Sequence, residues 1–195
     1  MSIVEVASGL TILVWVAFYG LYCRAVLAGT TKPSLAFWLT VAVIDWVAFG
    51  SSIASRIPLL TLTQIALWTV GSTIVAIVTL TKQKGRVVFQ PLDRVCMALS
   101  ACGIALWLAA GSPQAAVGIQ AVTMTISGIP YFANALAAKE KSRDISISLL
   151  GSVCSLFTVQ NWQSWPVYIL PVVGIVMGGT SLTCSILGHR KKQAL

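Results

Sequence analysis

The chain has 195 residues, 57% of them hydrophobic and only 9% charged, with a mean hydropathy of +0.88. That excludes an ordinary soluble domain, and apolar stretches without polar alternation exclude a β-barrel as well. The formal net charge of +8 has no separate basic domain to rest on, so it points to membrane-flanking anchors rather than to nucleic acid.

Seven apolar segments are expected from their punctuation. The first runs from Ile3 to about Ala28 and carries Glu5 where a signal peptide would carry Lys or Arg. Its apolar run also exceeds a signal core, so it should stay as the first helix. It holds an aromatic cluster, Trp15, Phe18, Tyr19 and Tyr22, ahead of Arg24. The second segment starts at Pro33 and ends near Ala54, and a turn at Arg56 and Ile57 leads to Pro58, which opens the third, ending at Leu80. A basic loop then precedes the fourth, Pro91 to Ala110, and Gly111, Ser112 and Pro113 turn into the fifth, ending at Ala138. Asp144 is placed to cap a short sixth helix, Ile145 to about Gln160. The seventh runs from Pro166 to about Leu187, followed by the basic tail HRKKQAL.

Assigning the basic residues to alternate sides gives a topology. Arg24, Lys32, Lys82, Lys84, Arg86, Arg94, Lys139, Lys141, Arg143, Arg190, Lys191 and Lys192 fall on one side, and Arg56 alone on the other. The positive-inside rule puts the N-terminus outside and the tail in the cytoplasm. A bacterial inner membrane is the expected location.

Asp45 is the only formally charged side chain between Lys32 and Arg56, about three helical turns from each. A carboxylate at that depth costs at least about 2.5 kcal/mol, so it must face protein, water or a partner. It either belongs to a functional site or is held by a neighbouring Ser or Thr and fixes helix packing.

The chain also matches itself. Tyr22, Leu27 and Ala28 fall on Tyr131, Leu136 and Ala137 at an offset of 109, and Gly71, Thr73 and Leu80 on Gly178, Thr180 and Leu187 at 107. These matches suggest a duplicated three-helix unit, residues 1–82 and 112–187, joined by a connector, 83–111, and followed by the tail, 188–195. The expected fold class is therefore all-α integral membrane, with seven transmembrane helices in a parallel 3+1+3 arrangement.

That layout, the stretch GTTKPSLAFWL at 29–39, the pattern from Trp46 to Gly50 and YILPVVG at 168–174 resemble the SWEET and PQ-loop superfamily of small-solute carriers. The resemblance implies a solute site near the midplane between two three-helix bundles. Val172 stands where the family's asparagine would follow the last-span proline, so its binding asparagines are not carried over.

Candidate solute-binding residues are Trp38, Asp45 and Ser52, which share a helical face at spacings of seven, with Phe49 one turn beyond Asp45. Thr69 and Thr73 join them from the third segment, and Gln120, Thr123 and Ser127 from the fifth. Ser72 on the third segment and Ser152 and Ser155 on the sixth are further polar residues at that depth, and all these small hydroxyl residues also serve close helix packing. Gly128 and Pro130, and Pro171 and Gly174, interrupt the fifth and seventh helices and suit bending or gating. Tyr22, Tyr131 and Asn134 are placed for an inner gate.

Cys23, Cys96, Cys102, Cys154 and Cys184 form no CxxC pair and read as small core residues. His189 is the single histidine and lies in the tail. No metal site, cofactor or catalytic motif is expected, and the protein is read as a non-enzyme. Asp93 with Arg94 and the 139–144 loop, the only groups suited to lipid chemistry, are explained as caps and anchors. The expected function is a multi-pass carrier for a small polar solute; the alternative is a non-transporting membrane scaffold or accessory protein. Expected partners are the lipid bilayer, the solute, a proton and a second copy of the chain.

Overall fold

The computed structural model describes residues 3–54, 59–83, 89, 91–109, 113–137, 139–140, 142–158 and 165–193. They form α1 (Ile3–Leu27), α2 (Leu35–Ala54), α3 (Leu59–Lys82), α4 (Pro91–Ala109), α5 (Pro113–Leu136), α6 (Ser142–Leu156) and α7 (Trp165–Gln193), with no strand among the described residues. The expected turns at Arg56–Ile57 and Gly111–Ser112, and most of the basic loop after Lys82, lie outside the described residues. Among the described residues three helices carry stretches long and apolar enough to cross a membrane: Glu5–Leu27, Leu62–Lys82 and Pro171–Gln193. Leu35–Gly50 is apolar but shorter.

Local chemistry sets the ends. Gly29 adopts φ 72°, which lets the Thr30 and Gly29 N–H groups return to the carbonyls of Ala25 and Val26, each at 3.0 Å, and stops α1. Ser34 then starts α2 by accepting the Phe37 N–H on its hydroxyl at 3.2 Å. α6 corrects the expected boundary: it begins at Ser142, so Asp144 lies inside its first turn rather than capping it. Its carboxylate favours that end of the helix dipole and contacts Arg143 at 3.2 Å. α7 corrects another, because the helix continues through His189 to Gln193 instead of releasing a tail after Leu187.

Beside a buried aromatic and aliphatic core, many large aliphatic side chains are exposed and many small hydroxyl residues are buried. Leu13, Leu59, Leu106, Leu108, Val122 and Val176 are among the most exposed side chains, while Ser8, Thr11, Thr69, Ser72, Ser155, Ser181 and Ser185 are buried. Small hydroxyl residues let helix backbones approach and bond the preceding turn, as Thr69 Oγ1 does to the Ile65 carbonyl at 2.8 Å.

The neighbour relations define the architecture. α3 packs between α1 and α2, α7 packs between α5 and α6, and the two trios meet through α1 with α6 and α2 with α5. Six helices therefore close a ring in the order α1, α3, α2, α5, α7, α6. α4 lies outside it, against α5 and α2.

One end of the ring gathers the linkers and basic residues. There the Lys32 N–H donates to the Lys139 carbonyl at 3.0 Å, joining the α1–α2 linker to the α5–α6 linker, and Lys82 reaches the Leu27 carbonyl at 2.6 Å. At the other end Thr158 donates to Gln64 Oε1 at 3.3 Å.

Candidate functional site

Helices that are not neighbours in the ring meet only through side chains crossing its interior, and two such layers exist. α1 supplies both, because Trp15, Phe18, Tyr19 and Tyr22 recur at three- and four-residue steps along one face. Phe18 is buried between the layers, with ring centroids 5.5 Å from Trp15 and 5.4 Å from Tyr22.

The layer away from the basic end joins α1, α3 and α6. The Trp15 ring lies 5.9 Å from that of Trp68, and Trp15 Nε1 donates to Ser155 Oγ at 3.4 Å. The Thr158 to Gln64 bond joins α3 to the turn just past α6, although α3 and α6 do not pack together. Gln64 Nε2 and Trp68 Nε1 are buried donors without a partner among the described residues. Two such donors one turn apart suit an acceptor-bearing molecule or water.

The layer at the basic end joins α1, α2 and the α5–α6 linker. Trp38 Nε1 donates to the Tyr22 oxygen at 3.2 Å, and the Tyr22 hydroxyl bonds the two Glu140 carboxyl oxygens at 3.1 and 2.9 Å. Phe37 stacks on Tyr131 at 4.8 Å and lies 5.2 Å from Trp38. Glu140 is 1% exposed although it sits in a linker. Its backbone carbonyl accepts from Ser185 Oγ at 3.2 Å and contacts His189 Nε2 at 3.2 Å. Burial pushes the Glu140 carboxyl up to about 8; the Tyr22 bond opposes the rise and Asp144 adds to it.

Asp45 lies elsewhere, at the packed α2–α3 interface. It is 7% exposed, its carboxylate accepts Ser72 Oγ at 2.8 Å, and its carbonyl accepts Thr69 Oγ1 at 3.1 Å. The candidate residues thus divide into groups. Trp38 enters the ring's basic-end layer, while Asp45 and Thr69 form the interhelical clamp. Thr73 accepts the exposed Trp46 Nε1 at 3.1 Å, on an outer groove of about 180 Å³ that also meets Leu39, Val43 and Ile77. Phe49 packs edge-on to Trp46 at 6.1 Å, and Ser52 is half-buried near the end of α2.

Gln120 and Thr123 line a cavity of about 20 Å³ with Ile44, Val47, Gly103 and Ile119, room for about one water. Ser127 is buried and returns its hydroxyl to the Met124 carbonyl at 2.8 Å. α5 and α7 run through Pro130 and Pro171, which are both buried. Gly128 and Gly174 give way to neighbours: an added Cβ would lie 2.5 Å from Met177 Cε and 2.7 Å from Ser152 Oγ respectively. Asn134 Nδ2 reaches toward the Lys32 carbonyl at 3.5 Å.

Sequence reasoning singled out neither Gln64, Trp68 nor Glu140. The α1 aromatic face was a legible signal for this interior, whereas Glu140 stands in KEKSRD and reads as a solvated anchor loop. Among the described residues no group of three or more His, Cys, Asp or Glu side chains could hold a metal ion, and the cysteines are free. Compared with protein-family models, curated proteins and solved structures, the chain matches none.

Proposed function

We propose that the protein is a membrane carrier for a small polar solute, built as two parallel three-helix units around a connector and similar in plan to SWEET and PQ-loop carriers. One observation carries this reading: the pairing of α1 with α6 and of α2 with α5 exchanges under the relabelling α1, α2, α3 to α5, α6, α7. The internal packing obeys the same exchange, since α3 and α7 each separate the other two helices of their trio. That exchange supports a pseudo-two-fold relation between the halves, and repeat-built carriers bind solute in the interior between such halves. In this reading all seven helices span, the basic end is cytoplasmic and the N-terminus is outside, in a bacterial inner membrane.

In this reading the solute carries hydrogen-bond acceptors for Gln64 Nε2 and Trp68 Nε1, which have no partner among the described residues, and a flat or apolar face for Trp15 and Trp68. Asp45 acts from the ring wall, on solute or proton. A scaffold without transport is the second reading, favoured by the Ser72 to Asp45 bond, which resembles a packing clamp.

The test is the thermal stability of the purified protein, wild type and Asp45→Asn, against sugars, amino acids, amines, nucleosides and vitamins at two pH values. A solute at about 100 times its Kd should stabilise by about 2.7 kcal/mol. Stabilisation by one class supports the carrier, and its loss in the variant assigns Asp45. Stabilisation by none, with the variant merely less stable, supports the scaffold.

A further inference from the structure

Glu140 occupies an unusual place, a buried carboxyl on a linker rather than on a helix. The Lys139 N–H returns to the Asn134 carbonyl of α5, and the other tethers of the described linker residues lead to other elements. The Glu140 side chain meets Tyr22 of α1, its carbonyl meets Ser185 and His189 of α7, and the Lys139 carbonyl holds the Lys32 N–H of the other linker. The Tyr22 and Lys32 tethers join the α1–α3 trio to the α5–α7 trio. A carboxyl group is thus inserted between the halves at the ring's basic end, beside the backbone bond that joins the two linkers.

We propose that Glu140 is a proton-binding site that latches this end: the protonated carboxyl seats the α5–α6 linker between the halves, and loss of the proton lifts it out. This rests on the carrier reading, whose solute path the latch would open toward the basic side, and it makes the proton a participant in transport.

The surroundings set the direction. Titratable groups facing Glu140 are Tyr22 from α1, Tyr131 from α5 and Asp144 from α6, with His189 of α7 against its carbonyl. α2 contributes Trp38, which cannot titrate in this range. Lys82 of α3 is engaged with the Leu27 carbonyl, and Asp93 of α4 lies by Ser34 at 3.5 Å. Lys32 and Lys139 are exposed, and Arg143 is 65% exposed beside Asp144. No cation is buried against the carboxyl among the described residues, so its ionised form is left in low dielectric with Asp144 nearby. Burial raises the carboxyl to about 8, so it is neutral below that pH and charged above it. Ionisation favours exposure to water, and alkaline pH opens the latch.

Hydrogen exchange of linker amides 134–145 in the intact purified protein tests this without any solute, so failure of the latch and failure of the carrier reading are separately visible. After correction for intrinsic exchange, protection in wild type should fall at least about tenfold between about pH 6 and about pH 9.5. Glu140→Gln, neutral at every pH, should keep its protection. Tyr22→Phe should move the wild-type midpoint to higher pH, because the donated bond favours the ionised carboxyl. Equal pH dependence in wild type and Glu140→Gln overturns the proposal. If Glu140→Gln does not fold, an unmoved midpoint in Tyr22→Phe overturns it, and an upward shift supports it.

Discussion

Ser72 on α3 donates its hydroxyl to the carboxylate of Asp45 on α2 at 2.8 Å, so the chain's mid-helix carboxylate is held by the adjacent helix of its own trio. The two residues define a polar contact between apolar helices, where removing either side has unequal consequences. Ser72→Ala leaves the buried carboxylate without this donor and should cost about 1–3 kcal/mol. Asp45→Asn keeps an acceptor oxygen for Ser72 and should cost less than about 1 kcal/mol. Thermal unfolding of both variants checks the order. If Asp45 acts in transport, Asp45→Asn loses uptake at nearly unchanged stability.

Trp38 and Tyr22 are joined across the ring by a 3.2 Å bond, although α1 and α2 do not pack together. Trp38→Phe removes that donor while keeping an aromatic ring against Phe37. It should lower stability by about 1–3 kcal/mol through the lost bond and reduced packing. Tyr22→Phe removes the hydroxyl from the buried Glu140 as well. Measured with Trp38→Phe in a double-mutant cycle, the two should be non-additive by at least about 0.5 kcal/mol; strict additivity would place them in separate environments.

The helices were legible because prolines, glycines and loop charges punctuate this sequence strongly: Pro91 and Pro113 open α4 and α5, and Gly29 closes the end of α1. The ring order was not, since which helix stands between which depends on small-residue contacts scattered along all of them. The candidate site was half legible. Trp38 reached the interior and Asp45 is buried, but Thr73 bonds an exposed Trp46, and its polarity alone could not reveal which face of α3 it occupied. Glu140 shows the opposite failure. A glutamate between two lysines looks solvated, and only the tertiary meeting of the two linkers with Tyr22 buries it.

Close approach of α5 and α7 depends on Gly188. A Cβ there would run into the Leu136 carbonyl, lying 2.8 Å from its carbon and 3.0 Å from the Ala135 oxygen, and backbone cannot rotate away. Gly188→Ala should destabilise by about 1–3 kcal/mol through overpacking. Gly179, on the same helix, has nothing within 4 Å of its added Cβ. Gly179→Ala should be neutral or stabilising by up to about 1 kcal/mol from helix propensity. Denaturation midpoints of the pair isolate the steric effect from the chemistry of adding a methyl group.

Glu140 also sets a pH dependence of stability whose sign follows from its environment. Its folded carboxyl is raised from 4.5 to about 8, so the folded state holds a proton that the unfolded chain releases. The contribution is fully present below about pH 4.5, declines as pH rises through the window between the two values, and is lost above about pH 8. Within that window the slope from this group approaches about 1.4 kcal/mol per pH unit at most. Unfolding of the wild type should therefore become easier from weakly acidic to weakly alkaline pH, the reverse of a salt-bridged carboxylate. Glu140→Gln should flatten the curve, since the amide has no proton to lose, and should be the more stable form at alkaline pH. A wild-type curve that rises across this window, or an equal slope in the variant, would show that Glu140 is ionised and accommodated where it lies.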